Sequence, residues 1–256
     1  MIELKNDEMH TLKKFYSEDL DVTLISCIEG NMGKAWVDNK VEPNIAIIIV
    51  ADFCYLFGNV VHNENSINLK TILEKAHRKI IMIFDSSWLV LIEKYYVNRF
   101  KMFKRFSIKR EPNVFKRDIL NSYIKAIEPN FEIKRIDKDI YIKVLKDAFM
   151  ADCCSNFTSI ESFLNNGIGY VIIYNDEVVS GASSYSYCKG SIDITIGTNE
   201  AFRKKGLALA CASKLILECL DNNIYPRWDA TNLESVALAE KLGYHFDKKY
   251  EAYTIW

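Results

Sequence analysis

Residues 203–208 read Arg-Lys-Lys-Gly-Leu-Ala, an R-x-x-G-x-A pattern lying between a strand-like run at 192–197 and a long helical pattern at 206–222. The first turn of a helix leaves its backbone N–H groups unpaired and carries the positive end of the dipole, so such a junction suits an anion. Gly206 and Ala208 keep the approach to those amides clear, and Arg203, Lys204 and Lys205 add positive charge at the rim. The chemistry this favours is binding of a pyrophosphate. Taken alone, the same residues are also a plain basic turn before a helix.

A second constellation follows one strand later. Asn232 stands where a helix N-cap is expected, Ser235 lies three residues on, and Leu242-Gly243-Tyr244 closes the helical pattern and leads into the last strand. On its own this is a well-capped amphipathic helix.

The elements that must position these residues follow from hydrophobic periodicity. After breaks at Pro112 and Pro129, the spacing predicts a strand at 131–136, a helix at 138–150 and a short helix at 159–165. Strands at 167–173 and 177–184 come next, joined by the tight-turn sequence Tyr174-Asn175-Asp176. On the following strand Ile192, Ile194 and Ile196 alternate with Asp193 and Thr195. A helix at 206–222, a strand at 225–230, a helix at 233–242 and a strand at 244–256 complete this half. The order is β-α-α-β-β-β-α-β-α-β.

The R-x-x-G-x-A turn after the fourth of these strands, and N-x-x-S running to L-G-Y after the fifth, together resemble the GNAT superfamily of acetyl-CoA N-acyltransferases over residues 131–256. The run Ile-Tyr-Pro-Arg-Trp-Asp-Ala-Thr-Asn at 224–232 is similar to a narrower subgroup, typified by zwittermicin A resistance acetyltransferases. The resemblance implies an α+β fold with a mixed central sheet flanked by helices. It implies acetyl-CoA as co-substrate, no metal, and a primary amine of a small molecule as acceptor, an amino-antibiotic or a metabolite. Backbone N–H groups of Arg203, Lys204, Lys205, Gly206, Leu207 and Ala208 would hold the pyrophosphate. The backbone of Ile196 and Thr198 would pair with the pantetheine arm as an added strand. Asn232 would meet the arm, with Ser235 beside it, and the fourth and fifth strands would splay to admit the thioester.

One position departs from the family. Many members carry a tyrosine seven residues after the motif asparagine, where it protonates the leaving thiolate; here that residue is Ala239. Ser235, Tyr244 or water must act instead, or the thiolate leaves unassisted, which a thiol pKa near ~8.5 permits. An alkyl ammonium must also lose a proton before it attacks. Asp193, opposite the isoleucine face, and Glu161, in the segment that often lines the acceptor site in this family, are the candidate bases. Each is equally readable as a solvated surface charge. A non-catalytic CoA-binding or interaction module is therefore the alternative reading.

The first half of the chain is less informative. Strands are predicted at 35–37, 44–50, 79–84 and 103–109, and helices at 11–16, 66–77, 87–96 and 115–127, the 66–77 helix capped by Ser66. The strand-helix-strand-helix-strand order over 44–109 is either a diverged repeat of the same fold or an unrelated α/β domain. With a boundary set at 128/129, domains of 1–128 and 129–256 are expected. Residues 58–65 offer no clustered glycines and no basic rim, so this half is expected not to bind CoA but to shape the acceptor cleft or a subunit contact.

The chain has 256 residues, 49% of them hydrophobic and 26% charged, an ordinary globular balance. A net charge of −1 gives no global pull toward nucleic acid or anionic membrane. The basic run at 99–110, with Phe100, Phe103 and Phe106 interleaved, reads better as a half-buried strand with a charged outer face than as a nucleic-acid patch. The first nineteen residues are charged and lack the apolar core of a signal peptide, and no apolar stretch is long enough for a membrane span. A cytoplasmic protein is expected. Seven scattered cysteines without a C-x-x-C spacing suggest reduced, mostly buried thiols, and the four histidines form no metal-binding pattern. The oligomeric state stays open.

Overall fold

The computed structural model describes residues 1–17, 21–61 and 68–256. The chain forms two compact units, one of Met1–Arg105 with Lys249–Trp256 and the other of Phe106–Lys248.

The first unit begins with β1 (Ile2–Glu3), a 3-10 helix (Asn6–Phe15) and α1 (Val22–Ile28). Then come β2 (Lys34–Val37), β3 (Ala46–Val50), β4 (Phe53–Phe57), α2 (Leu69–Glu74), β5 (Ile80–Ile83) and α3 (Ser87–Tyr95). β2, β3 and β4 run antiparallel in sequence, and β4 then pairs in parallel with β5 across the α2 crossover. Ile45, Ile47, Leu56, Leu69, Ile72, Leu73 and Trp88 are buried in one apolar cluster, which is where most of the stability of such a layer arises.

The β4 strand is absent from the sequence reading, and so is α1. The β3–β4 turn contains neither Gly nor Pro; it is made by Ala51 at φ 48° and Asp52, so no punctuation residue marked it. The α2 crossover therefore joins β4 to β5, not residues 44–50 to 79–84. The expected helix at 11–16 is the 3-10 helix, and the Ser66 cap and residues 62–65 lie outside the described residues.

Both unit boundaries fall inside strands, β6 (Phe100–Ile108) and β13 (Phe246–Ile255). The expected boundary at 128/129 lies within the second unit. The basic run at 99–110 is a strand, as expected, but Arg105 is buried on it and does not sit on an outer face. Its guanidinium lies over the Phe53 ring, 5.2 Å from the centroid, and its Nε donates to the Tyr250 hydroxyl. That contact suits a delocalised, weakly hydrated cation.

The second unit holds α4 (Arg117–Lys125), β7 (Glu132–Arg135), α5 (Lys138–Lys146), α6 (Ile160–Asn166), β8 (Gly169–Tyr174), β9 (Glu177–Cys188) and β10 (Ser191–Thr198). It continues with α7 (Leu207–Asp221), β11 (Tyr225–Arg227), β12 (Asp229–Ala230) and α8 (Leu233–Lys241). The five-stranded sheet has the order β11-β10-β9-β8-β7, with only the β10–β11 pair parallel. Asn175 and Asp176, both left-handed, make the predicted β8–β9 hairpin turn. Side chains alternate across the sheet as the strand period demands. Tyr170, Ile172 and Ile192 join Leu215 and Ile216 of α7 on one face, while Val171 and Ile173 join Tyr141 of α5 and Phe163 of α6 on the other.

Both units share one connectivity: three successive antiparallel strands, then a helical crossover to a parallel strand. Six of the seven cysteines are buried and all are free thiols.

Candidate active site

β10 and β11 are in register at only three pairs, Ser191 with Tyr225, Ile192 with Pro226 and Asp193 with Arg227. The two strands then part. The chain after β11 forms β12, which pairs with β6 at Asp229–Ser107 and Ala230–Phe106, so residues 194–198 of β10 have no strand on that side among the described residues. A free strand edge is a row of unpaired N–H and C=O groups, suited to an extended, amide-bearing ligand.

At the end of this edge the chain turns into α7. Gly206 is the N-cap, at φ 79° and ψ 1°, with no side-chain cap. A Cβ there would meet nothing within 4 Å, so glycine is needed for its backbone conformation and the space in front stays open. The amides of Leu207 to Leu209 have no carbonyl one turn back. α5, α6 and α8, by contrast, are capped by Asp137, Ser159 and Asn232 side chains.

A cleft of about 460 Å³ opens here, lined by Thr198, Phe202, Arg203, Lys204, Gly206, Leu207, Ala208, Leu209, Leu238 and Lys241. No acidic residue lines it among the described residues. Six residues expected from sequence are thus brought together: Thr198, Arg203, Lys204, Gly206, Leu207 and Ala208. Two details differ from the expectation. The Arg203 backbone N–H is already given to the Glu200 carbonyl, and its guanidinium lies 3.6 Å from the Glu200 carboxylate. Lys205 turns away from the cleft, its ammonium 5.8 Å from the Phe131 ring centroid. The left-handed backbone of Lys204 (φ 64°) and Gly206 makes the turn sharp enough to part successive side chains.

Ile196, Asn232 and Ser235 do not line this cleft. Ile196 packs against the α7-side core. Asn232 caps α8, its Oδ1 accepting from the Ser235 N–H at 2.8 Å, and the Ser235 hydroxyl accepts from the Trp228 indole at 3.0 Å. Sequence reading missed Ser180, Leu238 and Lys241. Ser180 is buried; its hydroxyl donates to the Gly197 carbonyl at 3.0 Å and sits 2.7 Å from the Thr198 hydroxyl, bracing the end of the free edge. Leu238 and Lys241 follow Ser235 at helical i+3 and i+6 spacing, the one signal that pointed to them.

The acid–base candidates are scattered. Asp193 is 7% exposed and lies at the last matched pair before the strands part. Further along its face of β10, Gly197 packs against the Phe149 ring. Glu161 is exposed in the first turn of α6, where its own backbone N–H and the Ser159 hydroxyl hold its carboxyl below the usual range. It therefore lacks the burial that would make it a stronger base. Tyr244 is fully buried; its hydroxyl donates to the Pro226 carbonyl at 2.7 Å, and burial pushes its phenol well above the ordinary value. A proton committed in that way is not available to a thiolate in the cleft. Ala239 is buried in the core.

The comparisons with known proteins agree with this geometry. The family model described as GNAT acetyltransferase matches residues 13–253. This chain belongs to the GNAT acetyltransferase family. A crystallised GCN5-related N-acetyltransferase-like protein from Streptococcus suis is 34% identical, with 98% of this chain and 99% of that one superposed at a TM-score of 0.88. A Bacillus subtilis protein named as the uncharacterized N-acetyltransferase YdfB is 27% identical over 177 residues, 67% of this chain and 64% of the relative. A tandem GNAT protein from the clavulanic acid biosynthesis pathway shares the fold at 8% identity, a TM-score of 0.55, and coverage of 99% and 97%. The family uses acyl-CoA, and the residues present fit that group: a glycine-capped helix start, a basic cleft without carboxylates, and a free strand edge leading into it.

Proposed function

We propose that this protein is an N-acetyltransferase that moves an acetyl group from acetyl-CoA to a primary amine of a small molecule. The observation that carries this reading is the parting of β10 from β11 directly above the Gly206 helix start. The amides of α7, with Arg203 and Lys204, hold the pyrophosphate. The free edge at 194–198 takes the pantetheine amides and orients the thioester between the parted strands. Acetyl-CoA supplies the activated acyl group; the chain supplies positioning, worth much of the barrier when two reactants are held in line.

Of the two carboxylates, Asp193 is the better base. It is buried beside the opening, whereas Glu161 is exposed and stabilised in its charged form. The thiolate leaves unassisted or is protonated by water. The acceptor of this reading is an amino-antibiotic or a metabolite, which the wording at 224–232 does not decide between, and its setting is the cytoplasm.

A second reading, a non-catalytic CoA-binding module, is favoured by Ala239 and by the commitment of the Tyr244 hydroxyl. The deciding experiment is a panel of small amines with acetyl-CoA, read by thiol release and by mass of the acceptor. Amine-dependent release with a mass gain of one acetyl group supports the enzyme. Tight acetyl-CoA binding without turnover on any amine supports the module.

A further inference from the structure

The cleft at the start of α7 is lined by cations from two different elements. Arg203 and Lys204 belong to the turn that also presents the helix amides. Lys241 lines the same cleft from the last turn of α8, next to Leu238. Its backbone is pinned there: the Tyr123 hydroxyl of α4 donates to the Lys241 carbonyl at 3.1 Å. Its ammonium makes no ion pair with any described residue, and neither Glu234 nor Glu240 of the same helix lines the cleft. A cation on an anchored helix with no ion pair to a described residue, facing a cleft with no carboxylate among its described lining residues, is a position for a further anion.

We propose that Lys241 reads the 3′-phosphate at the nucleotide end of CoA, so that the site separates CoA from its dephosphorylated form. This rests on the acetyl-CoA reading above. The pyrophosphate carries about two negative charges and is met by the α7 amides, Arg203 and Lys204. The 3′-phosphate adds a dianion at neutral pH, on a ribose remote from the thioester. It therefore needs a partner beyond the turn, and Lys241 is the cation lining the cleft from another element. Leu238, half-buried one turn earlier, gives the intervening nucleotide an apolar wall.

The test is calorimetric titration of the full chain with acetyl-CoA and with acetyl-dephospho-CoA, for wild type, Lys241→Ala and Lys241→Arg. Wild type is expected to prefer acetyl-CoA by tenfold or more. Lys241→Ala should bring the two ligands to within about twofold of each other by weakening acetyl-CoA alone. Lys241→Arg should keep the preference. Because Lys241 is exposed, thermal melting of both variants should match wild type. Wild type binding both ligands equally, or Lys241→Ala weakening both alike, would overturn the assignment while leaving the acetyl-CoA site standing. No binding of either ligand to the wild type would overturn both.

Discussion

The two units build the same crossover and use it differently. In the first, β4 and β5 stay in register at four pairs, Phe53–Ile80, Cys54–Ile81, Tyr55–Met82 and Leu56–Ile83, every one apolar. In the second, β10 and β11 match at three pairs, the last of them Asp193 with Arg227, and then separate. An apolar parallel pair gains by staying closed, because opening would expose both faces and their backbone groups. The second pair opens because residues 229–230 find another ladder on β6, so their backbone groups are satisfied elsewhere. The helix starts differ to match. α7 is fifteen residues long and begins on a bare glycine, whereas α2 is six residues long and begins at Asn68, whose side-chain amide donates to the Met1 carbonyl at 2.7 Å. One crossover is a structural core; the other carries the proposed ligand site.

The sharpest way to break this contrast is at the glycine that follows the closed strand. Gly58, just after β4, has φ 78°, and a Cβ there would lie 1.7 Å from the Asn44 carbonyl oxygen. Gly58→Ala should cost about 3 kcal/mol or more through clash and left-handed strain. Melting should therefore fall steeply, while acetyl-CoA affinity below the transition stays at the wild-type value. A melting curve like wild type would contradict the closed packing.

Next in size is the charged pair that marks the opening. Asp193→Asn keeps shape and hydrogen-bonding reach but removes the charge, and should lower single-turnover acetylation by about 10²-fold with acetyl-CoA affinity retained. Glu161→Gln serves as the control and should change the rate little. Equal losses in the two variants would remove Asp193 from the role of base.

At the open start of α7, the Cβ of Gly206→Glu would meet nothing within 4 Å, so the variant should melt only slightly below wild type, chiefly through left-handed strain. Its carboxylate would repel the pyrophosphate at the dipole's positive end. A tenfold or greater loss of acetyl-CoA affinity, about 1.4 kcal/mol, is the expected calorimetric result. Unchanged affinity in the folded variant would mean that the ligand binds elsewhere.

The smallest effect concerns how α7 is held. Glu218 accepts from Arg135 at 2.9 and 3.0 Å and from the Tyr170 hydroxyl at 2.5 Å. Burial raises its carboxyl pKa, but the hydrogen bonds from Arg135 and Tyr170 outweigh that, and the net shift is downward. A depressed carboxyl pKa stabilises the fold above the unfolded value of ~4.3 and loses that contribution as pH falls through the folded value. With Arg135 nearly half exposed, the contribution is about 1 kcal/mol at most. The melting difference between wild type and Glu218→Gln should hold from pH 8 to 6 and shrink below about pH 4. A difference that grows on acidification would have the wrong sign.

What the sequence determined alone is local. The Asn232 cap closes on Ser235 three residues away, the β8–β9 turn needs only Asn175 and Asp176, and α7 starts at Gly206 because glycine alone takes that backbone freely. These interactions span a few residues, so residue type and spacing reveal them. The alternation of Ile192, Ile194 and Ile196 likewise set which face of β10 meets α7. Tertiary structure decided the rest. Whether Lys204 or Lys205 faces the cleft depends on a turn whose left-handed residues include a lysine. The burial of Tyr244 and Arg105, the brace from Ser180 and the arrival of Lys241 depend on partners far away in the chain. So does the parting of β10 from β11, since it requires β6, more than a hundred residues earlier, to pair with β12. Local propensity carries no information about which distant strand satisfies a backbone edge; only the folded ladder does.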